Sequence, residues 1–224
     1  MVNGYDIELY FSNNALKKPF SELSKNTNSG KSLVSSTIKG YDYEEFVKPL
    51  FPHDCFKMVD AVYFQDNIIY LIEFKGGFIQ QINTGNFNIN NWWCDDGKKY
   101  CYEAADIFLK NQELMISQLI ESIKGKLLET FAVFHKLIIP KCQPADKEYQ
   151  VRYVAVVEES DIPIDSLESA MSELAGLPKK EDNAVDKLKK SLKKYDINDL
   201  SGQPMFFDSI EVWNTFDFQE RINT

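Results

Sequence analysis

Two runs of β-favouring residues near the middle of the chain predict a hairpin. Residues 57–65 and 68–75 are both rich in Val, Ile, Phe and Tyr, which favour strands. Asp66 and Asn67 separate the runs, and both residue types tolerate the positive φ that a tight turn requires. A two-residue loop makes Gln65 face Ile68, so the turn sets the register of the whole hairpin.

That register places three charged residues on one face of the hairpin. Asp60 faces Glu73, and Lys75 lies two residues further along the same side. Two carboxylates at this separation repel each other unless a cation neutralises them. We expect Lys75 or a metal ion to supply the positive charge. The alternative is a structural ion pair between Asp60 and Lys75, with Glu73 solvated on a half-exposed edge.

Periodicity along the rest of the chain predicts helices and strands around the hairpin. The chain is therefore expected to be an α/β protein with one domain over 1–224, a core over 41–158 and a C-terminal extension of helices and a strand over 159–224. The predicted elements are a weak strand over 5–11, a loop over 21–36, a helix over 41–50, a strand over 78–82, a helix over 103–135 with a break at Gly125, a strand over 149–157, helices over 165–174 and 179–194, and a final strand over 204–213.

Composition narrows the class of protein. A content of 44% hydrophobic and 13% aromatic residues in 224 residues is enough for a sizeable core. No apolar run approaches the roughly 20 residues that span a bilayer, and the N-terminus lacks a signal-peptide pattern, so we expect no membrane association and a cytoplasmic location. The four cysteines form no CxxC pair, which favours reduced thiols. A zinc site built from His53, Cys55, Cys94 and Cys101 would match no standard spacing.

The charge distribution limits how nucleic acid can bind. A net charge of -9 opposes bulk attraction to phosphate, so any basic face must be local. The segment 179–194 holds seven of the 25 Lys and Arg residues, and its apolar positions recur at helical spacing. A solvated helix face is the favoured interpretation. The alternative is a face that follows a phosphate backbone through Lys187, Lys190 and Lys194.

The order of elements and the charged motif resemble the PD-(D/E)XK nuclease superfamily. Asp60 and the triplet Glu73-Phe74-Lys75 match that family's Asp followed by acid-x-Lys on the next strand. The resemblance covers about residues 41–158, and it implies the restriction-endonuclease-like fold, a mixed central sheet flanked by helices. Val59 stands where the family often has Pro, and the chain lacks the Gln-x-x-x-Tyr pattern of the RecB-like branch, which leaves the substrate open.

The resemblance also implies a reaction and roles for individual residues. The reaction is metal-dependent hydrolysis of a phosphodiester, with DNA favoured over RNA as the substrate and Mg²⁺ or Mn²⁺ as the cofactor. Asp60, Glu73 and the main-chain carbonyl of Phe74 would hold the metal, and Lys75 would orient water or stabilise the phosphate. The family's glutamate from the preceding helix maps to Glu44 or Glu45. On the next helix, Lys110 and Gln118 would contact the nucleic-acid backbone.

A different class of function competes with the nuclease. The net negative charge and aromatic content also suit an acidic binding protein, such as an immunity protein or antitoxin that covers a basic partner. A nuclease-like fold with an inactive site would serve the same purpose, since fold does not fix function. Many relatives of the nuclease fold are dimers, so a homodimer is compatible with either alternative.

Overall fold

In the part of the chain that the structure describes, a mixed seven-stranded sheet with helices on both faces forms the framework. The computed structural model describes residues 2–26, 30–51, 56–76, 102–158 and 184–222, with only the backbone for residues 2–3, 102–109, 112 and 184. The strands are β1 (Val2–Asp6), β2 (Lys17–Pro19), β3 (Lys39–Asp42), β4 (Ala61–Gln65), β5 (Ile68–Lys75), β6 (Gln143–Val157) and β7 (Ser209–Asn214). The helices are α1 (Ile7–Asn14), α2 (Phe20–Leu23), α3 (Tyr43–Val47), α4 (Tyr102–Val133), α5 (Ala184–Leu192) and α6 (Thr215–Ile222).

The strand order is β1-β6-β5-β4-β3-β2, and β7 also pairs with β6. Strands β3, β4 and β5 are consecutive antiparallel neighbours, whereas β5, β6 and β7 run parallel. Parallel neighbours require crossover connections, and α4 lies in the crossover from β5 to β6. The mixed α/β class is thus confirmed, and the first and last strands of the chain belong to the same sheet as its centre.

The predicted hairpin is confirmed in register as well as in position. Gln65 pairs with Ile68, Val62 with Leu71, and Ala61 with Ile72. Asp66 begins the turn with φ at 53°, the left-handed conformation that the two-residue loop demands. The side chains of β4 and β5 therefore point to the two faces of the sheet in the predicted alternation.

Each face of the sheet has its own hydrophobic core. Val62, Ile69 and Leu71 pack with side chains of α1, α3, α4 and α5, whereas Ala61 and Ile72 pack with side chains of α2 and α6. Val59 departs from the simple alternation, because it joins the first core together with Met58. The chain bends at residue 60, ahead of β4, so the alternation of faces does not extend before the strand.

Several predicted elements differ from those observed. The predicted strand over 5–11 is wrong, because β1 ends at Asp6 and α1 follows. Residues 41–42 belong to β3, so the helix predicted over 41–50 is limited to α3 and a 3₁₀ turn at Lys48–Leu50. Gly125 does not break α4, and α6 follows the last strand. The elements predicted over 78–82 and 165–174 lie outside the described residues.

Helix α4 is the long element that covers the first face. Its buried positions include Leu119, Ile123, Leu127 and Thr130, which recur three or four residues apart. The helix ends in a single π-helical turn, Phe134–Ile138, and a 3₁₀ turn that contains Pro140. Within the described part of the chain, no helix has the length and apolar character needed to cross a membrane.

Candidate functional site

Asp60 lies at the bend where the chain enters β4. Its backbone N–H donates to the carbonyl of Ile72 at 3.0 Å, and its Oδ2 accepts a 2.6 Å hydrogen bond from the N–H of Phe74. The carboxylate thus takes the place of a backbone acceptor beside β5, where the ladder between the two strands stops. One carboxylate oxygen is committed to the sheet, which leaves Oδ1 to face the neighbouring side chains.

Helix α4 fixes the segment that leads into this bend. The hydroxyl of Thr130 is fully buried, and it accepts a hydrogen bond from the N–H of Val59 at 3.1 Å. The carboxylate of the preceding residue, Glu129, accepts a hydrogen bond from the backbone N–H of Lys57. Two successive polar side chains of α4 therefore satisfy the backbone of an irregular segment that has no strand partner there.

Glu73 is a buried carboxylate on β5. It shares a face with Leu71 and Ile69, under α4, and its side chain is only 2% exposed. This burial overturns the structural alternative in which Glu73 is solvated at an exposed edge. A carboxylate this buried requires a charge partner, because its unpaired ionised form is costly to remove from water.

The partner of both carboxylates is Lys126, on α4. Its Nζ lies 2.7 Å from Glu73 Oε2 and 3.4 Å from Asp60 Oδ1, and its side chain is 18% exposed. The sequence predicted Lys75 or a metal ion for this role. Lys75 is partly exposed at the end of β5, and it lies close enough to lower the pKa of Glu73, but as the weakest of several influences.

Asp60 and Glu73 share the ammonium of Lys126, and the pKa values of all three groups are shifted. Burial and the adjacent Asp60 carboxylate raise the pKa of Glu73 to about 8, against the opposing influence of Lys126. Burial likewise raises the pKa of Asp60, opposed chiefly by Lys126 and by the Phe74 N–H. The carboxylates of Glu73 and Asp60 raise the pKa of Lys126 despite its burial. The site can therefore accommodate more positive charge than Lys126 provides.

A polar cleft of about 510 Å³ opens beside Asp60. Glu44 lines it, and this residue is also close enough to raise the pKa of Lys126. Glu45, which is exposed, is not among the lining residues; its N–H donates at 3.0 Å to Oδ1 of Asp42, the residue that caps α3. Of the two glutamates that the family resemblance allowed, Glu44 is the one near Asp60. The full lining is Lys18, Glu22, Leu23, Lys25, Asn26, Gly30, Asp42, Glu44 and Asp60.

The other predicted nucleic-acid contacts lie apart from this cluster. Gln118 and Lys110 are exposed on α4, and they precede Lys126 by about 12 and 24 Å along the helix axis at the usual rise per residue. Lys187 and Lys190 are on α5, and Lys194 is in the 3₁₀ turn that follows it. Leu188 and Leu192 bury the opposite side of α5, as the sequence predicted.

Sequence reasoning missed Lys126 and Thr130, although both carry a recognisable signal. They lie at helical spacing from Leu119 and Ile123, so they occupy the apolar stripe of α4. A charged residue and a hydroxyl on a buried stripe indicate partners in the neighbouring layer. Glu22 was also missed, because α2 falls within a segment of loop composition.

The potential metal ligands are few in the described part of the chain. No group of three or more His, Cys, Asp or Glu residues there is arranged to hold a metal ion, so side chains contribute only Asp60 and Glu73 at the centre of the site. Cys142 is buried, and burial raises the pKa of its thiol to about 11. His53, Cys55, Cys94 and Cys101, the residues considered for zinc, all lie outside the described residues.

Comparisons with protein-family models, with curated proteins and with solved structures found no match for this chain. Inference about function therefore depends on the geometry around Asp60, Glu73 and Lys126.

Proposed function

We propose that the protein is a metal-dependent nuclease of the PD-(D/E)XK type that hydrolyses phosphodiesters, in DNA rather than RNA. The observation that carries the proposal is the meeting of Asp60 and buried Glu73 at the end of the β4–β5 hairpin. Keeping two carboxylates together in an apolar sheet opposes stability, and such costly arrangements are concentrated at functional sites.

The strand arrangement supports the restriction-endonuclease-like fold as part of this proposal. The family order of three strands, a long helix and a fourth strand corresponds to β3, β4, β5, α4 and β6. In this correspondence the strand that joins the hairpin is β3, which precedes it, whereas the sequence predicted an additional strand after it. Helix α2 then takes the place of the helix before the three strands. Glu22 on α2 lines the cleft beside Asp60, so it joins Glu44 as a candidate for the family's helix glutamate.

The donor set suits Mg²⁺ or Mn²⁺. Asp60, Glu73 and the main-chain carbonyl of Phe74 provide oxygen ligands, which hard cations prefer. A bound divalent ion would supply a nucleophilic water at neutral pH and charge stabilisation in the transition state. Lys75, near Glu73 and partly exposed, would stabilise the phosphate, while Glu44 would position water in the cleft.

Cleavage assays with matched variants test this function. Single-stranded, double-stranded and branched DNA, together with RNA, would be incubated with the wild type in Mg²⁺ or Mn²⁺. We expect cleavage that EDTA abolishes and that Asp60→Asn, Glu73→Gln and Lys75→Met each reduce by about 100-fold or more. Asp66→Asn is the matched control, because it removes a carboxylate from the other end of the same hairpin. Cleavage that persists in Asp60→Asn would refute the assignment.

One observation favours a second function, an acidic binding protein with an inactive site. Lys126 already neutralises part of the charge at Asp60 and Glu73, and the cleft has four carboxylates but only two lysines. Such a surface suits a basic protein partner. A stoichiometric complex with one strongly basic protein that is lost in Glu22→Lys or Glu44→Lys, in a protein that cleaves no nucleic acid, would support this function instead.

A further inference from the structure

Lys126 is held in its position by the packing of α4. Ile123, Leu127 and Thr130, its neighbours on that helix, are each fully buried, so the helix has little freedom to turn or slide. From this fixed backbone the ammonium bridges Glu73 Oε2 at 2.7 Å and Asp60 Oδ1 at 3.4 Å. The bridge places one positive charge between the two carboxylates that would hold a divalent ion.

We propose that Lys126 is the exchangeable counter-cation of the site: its ammonium neutralises Asp60 and Glu73 until a divalent ion binds, and it must move away for that ion to enter. The inference rests on the proposed function, since it concerns the metal that the function requires. In this proposal Lys126 has a positioning role, in which it competes with the metal. The role differs from that of Lys75, which does not bridge Asp60 and Glu73.

Distance and charge explain why the metal ion and the Lys126 ammonium would exclude each other from the two carboxylates. Mg²⁺ binds carboxylate oxygen at about 2.0–2.1 Å, so the ion and an ammonium on the same two oxygens would be close enough for strong repulsion. The lysine stem is flexible, and the 18% exposure of the side chain leaves it a route toward solvent. Glu44, on the rim of the cleft, is near enough to interact with the Lys126 ammonium, and it offers that ammonium a second anion.

Metal binding without nucleic acid tests the exchange directly. Isothermal titration with Mn²⁺ and Mg²⁺ would compare the wild type, Lys126→Met, Lys124→Met and Asp60→Asn. Lys124→Met is the matched control, because Lys124 is on the same helix and pairs with Glu121 at 2.6 Å. We expect Lys126→Met to bind Mn²⁺ at least about tenfold more tightly than the wild type, the control to bind equally, and Asp60→Asn to lose binding.

A second measurement covers the case in which Lys126→Met does not fold. In wild-type protein labelled with ¹³C at lysine Cε, the Lys126 resonance, assigned with Lys126→Arg, should shift as Mg²⁺ saturates the site, while the Lys124 resonance stays in place. Metal binding that leaves the Lys126 resonance unchanged would overturn the exchange. The exchange would also be overturned if Lys126→Met bound the metal ion equally or more weakly than the wild type. The same conclusion would follow if only that variant bound the ion, or if neither protein did.

These outcomes are independent of cleavage. Exchange without cleavage of any nucleic acid would leave the inference intact and remove the nuclease. Metal-dependent cleavage that needs Asp60, with metal affinity unaffected by Lys126→Met, would support the nuclease and refute the exchange.

Discussion

The Nζ of Lys126 lies 2.7 Å from Oε2 of Glu73, and this ion pair joins α4 to β5 across the first core. The lysine comes 53 residues after the glutamate, so the contact ties the hairpin to the helix in the crossover that follows it. Since Asp60 shares the same ammonium, removal of one lysine changes the environment of two carboxylates. Both the stability of the protein and the chemistry of the site therefore depend on Lys126.

Lys126→Met is expected to destabilise the metal-free protein by about 3–5 kcal/mol, because it leaves the buried Asp60 carboxylate without its ammonium partner and removes the donor to Glu73. The methionine preserves most of the packing volume of the lysine stem. Urea unfolding at pH 7 measures the change. Lys124→Met should cost less than about 1 kcal/mol, since its pair with Glu121 is at the surface. Equal effects of the two variants would contradict a special role for the buried pair.

The raised pKa of Glu73 predicts a pH-dependent stability. Its pKa is about 8 in the folded protein, against an ordinary value of 4.5 for a glutamate side chain. Between these values the folded state retains a proton that the unfolded state releases. The stabilising contribution is thus complete below about pH 4.5, and it is lost as the pH rises through about 8, by at most about 1.4 kcal/mol per pH unit.

Glu73→Gln should remove this dependence, since the amide does not titrate. The comparison is urea unfolding of the wild type and the variant, without divalent ions, at several pH values from 5 to 9. The free energy of unfolding of the variant, relative to that of the wild type, should increase as the pH rises. A constant difference across that range would show that the pKa of Glu73 is not raised by folding.

The bond between Thr130 and Val59 predicts a further effect on stability. Thr130→Val preserves shape but removes the acceptor of a buried N–H, which should cost about 1–3 kcal/mol. Thr130→Ser retains the hydroxyl, and it should recover most of that loss apart from the missing methyl group. If the nuclease assignment holds, Thr130→Val should also lower cleavage more than Thr130→Ser does, because Asp60 follows directly after Val59.

Local chemistry explains which parts of this fold were predictable. The register of the hairpin depends on Asp66 and Asn67 and on the alternation of the flanking strands, so 19 residues of sequence contain the necessary information. Helix α1 was missed because residues 5–11 alternate weakly, yet Asp6 caps this helix by accepting a hydrogen bond from the Leu9 N–H at 3.0 Å. The cap and the spacing of Ile7 and Phe11 outweigh the alternation.

The candidate site was predictable only in part, because one of its three charged residues comes from an element that is distant in the sequence. Asp60 and Glu73 are brought together by the hairpin itself, whereas Lys126 reaches them from α4 through tertiary packing. Its sequence signal, a lysine on an apolar stripe, identifies a buried charge without identifying the partner. The preference of Glu44 over Glu45 likewise depended on how α3 sits against β4, which spacing alone does not determine.

The turn of the hairpin gives a prediction that is separate from the site. Asp66 has φ at 53°, a conformation that a side chain makes less favourable and that glycine adopts freely. We expect Asp66→Gly to stabilise the protein by up to about 1 kcal/mol, and Asp66→Val to destabilise it by about 1–2 kcal/mol. Thermal unfolding of both variants measures the effect. Destabilisation by glycine would mean that the aspartate side chain, and not the backbone conformation, determines the turn.

His135, in the π-helical turn that follows α4, predicts sensitivity of the fold to acid. Its ring packs against Phe131 and Phe134, with centroids 4.4 and 5.5 Å away, and its Nε2 is buried without a hydrogen-bond partner among the described residues. Burial lowers the pKa of His135 from 6.5 to about 4. The neutral ring therefore stabilises the fold above about pH 6.5, and that contribution is lost as the pH falls through about 4.

His135→Phe retains the aromatic packing and cannot titrate, so it isolates this contribution. Because the imidazole is only partly buried, we expect the variant to gain about 1–2 kcal/mol relative to the wild type between pH 7 and pH 4. Urea unfolding at half-unit pH intervals would measure the gain. A free-energy difference that stays constant over this range would place the pKa of the folded ring near 6.5 and would refute His135 as a source of acid sensitivity.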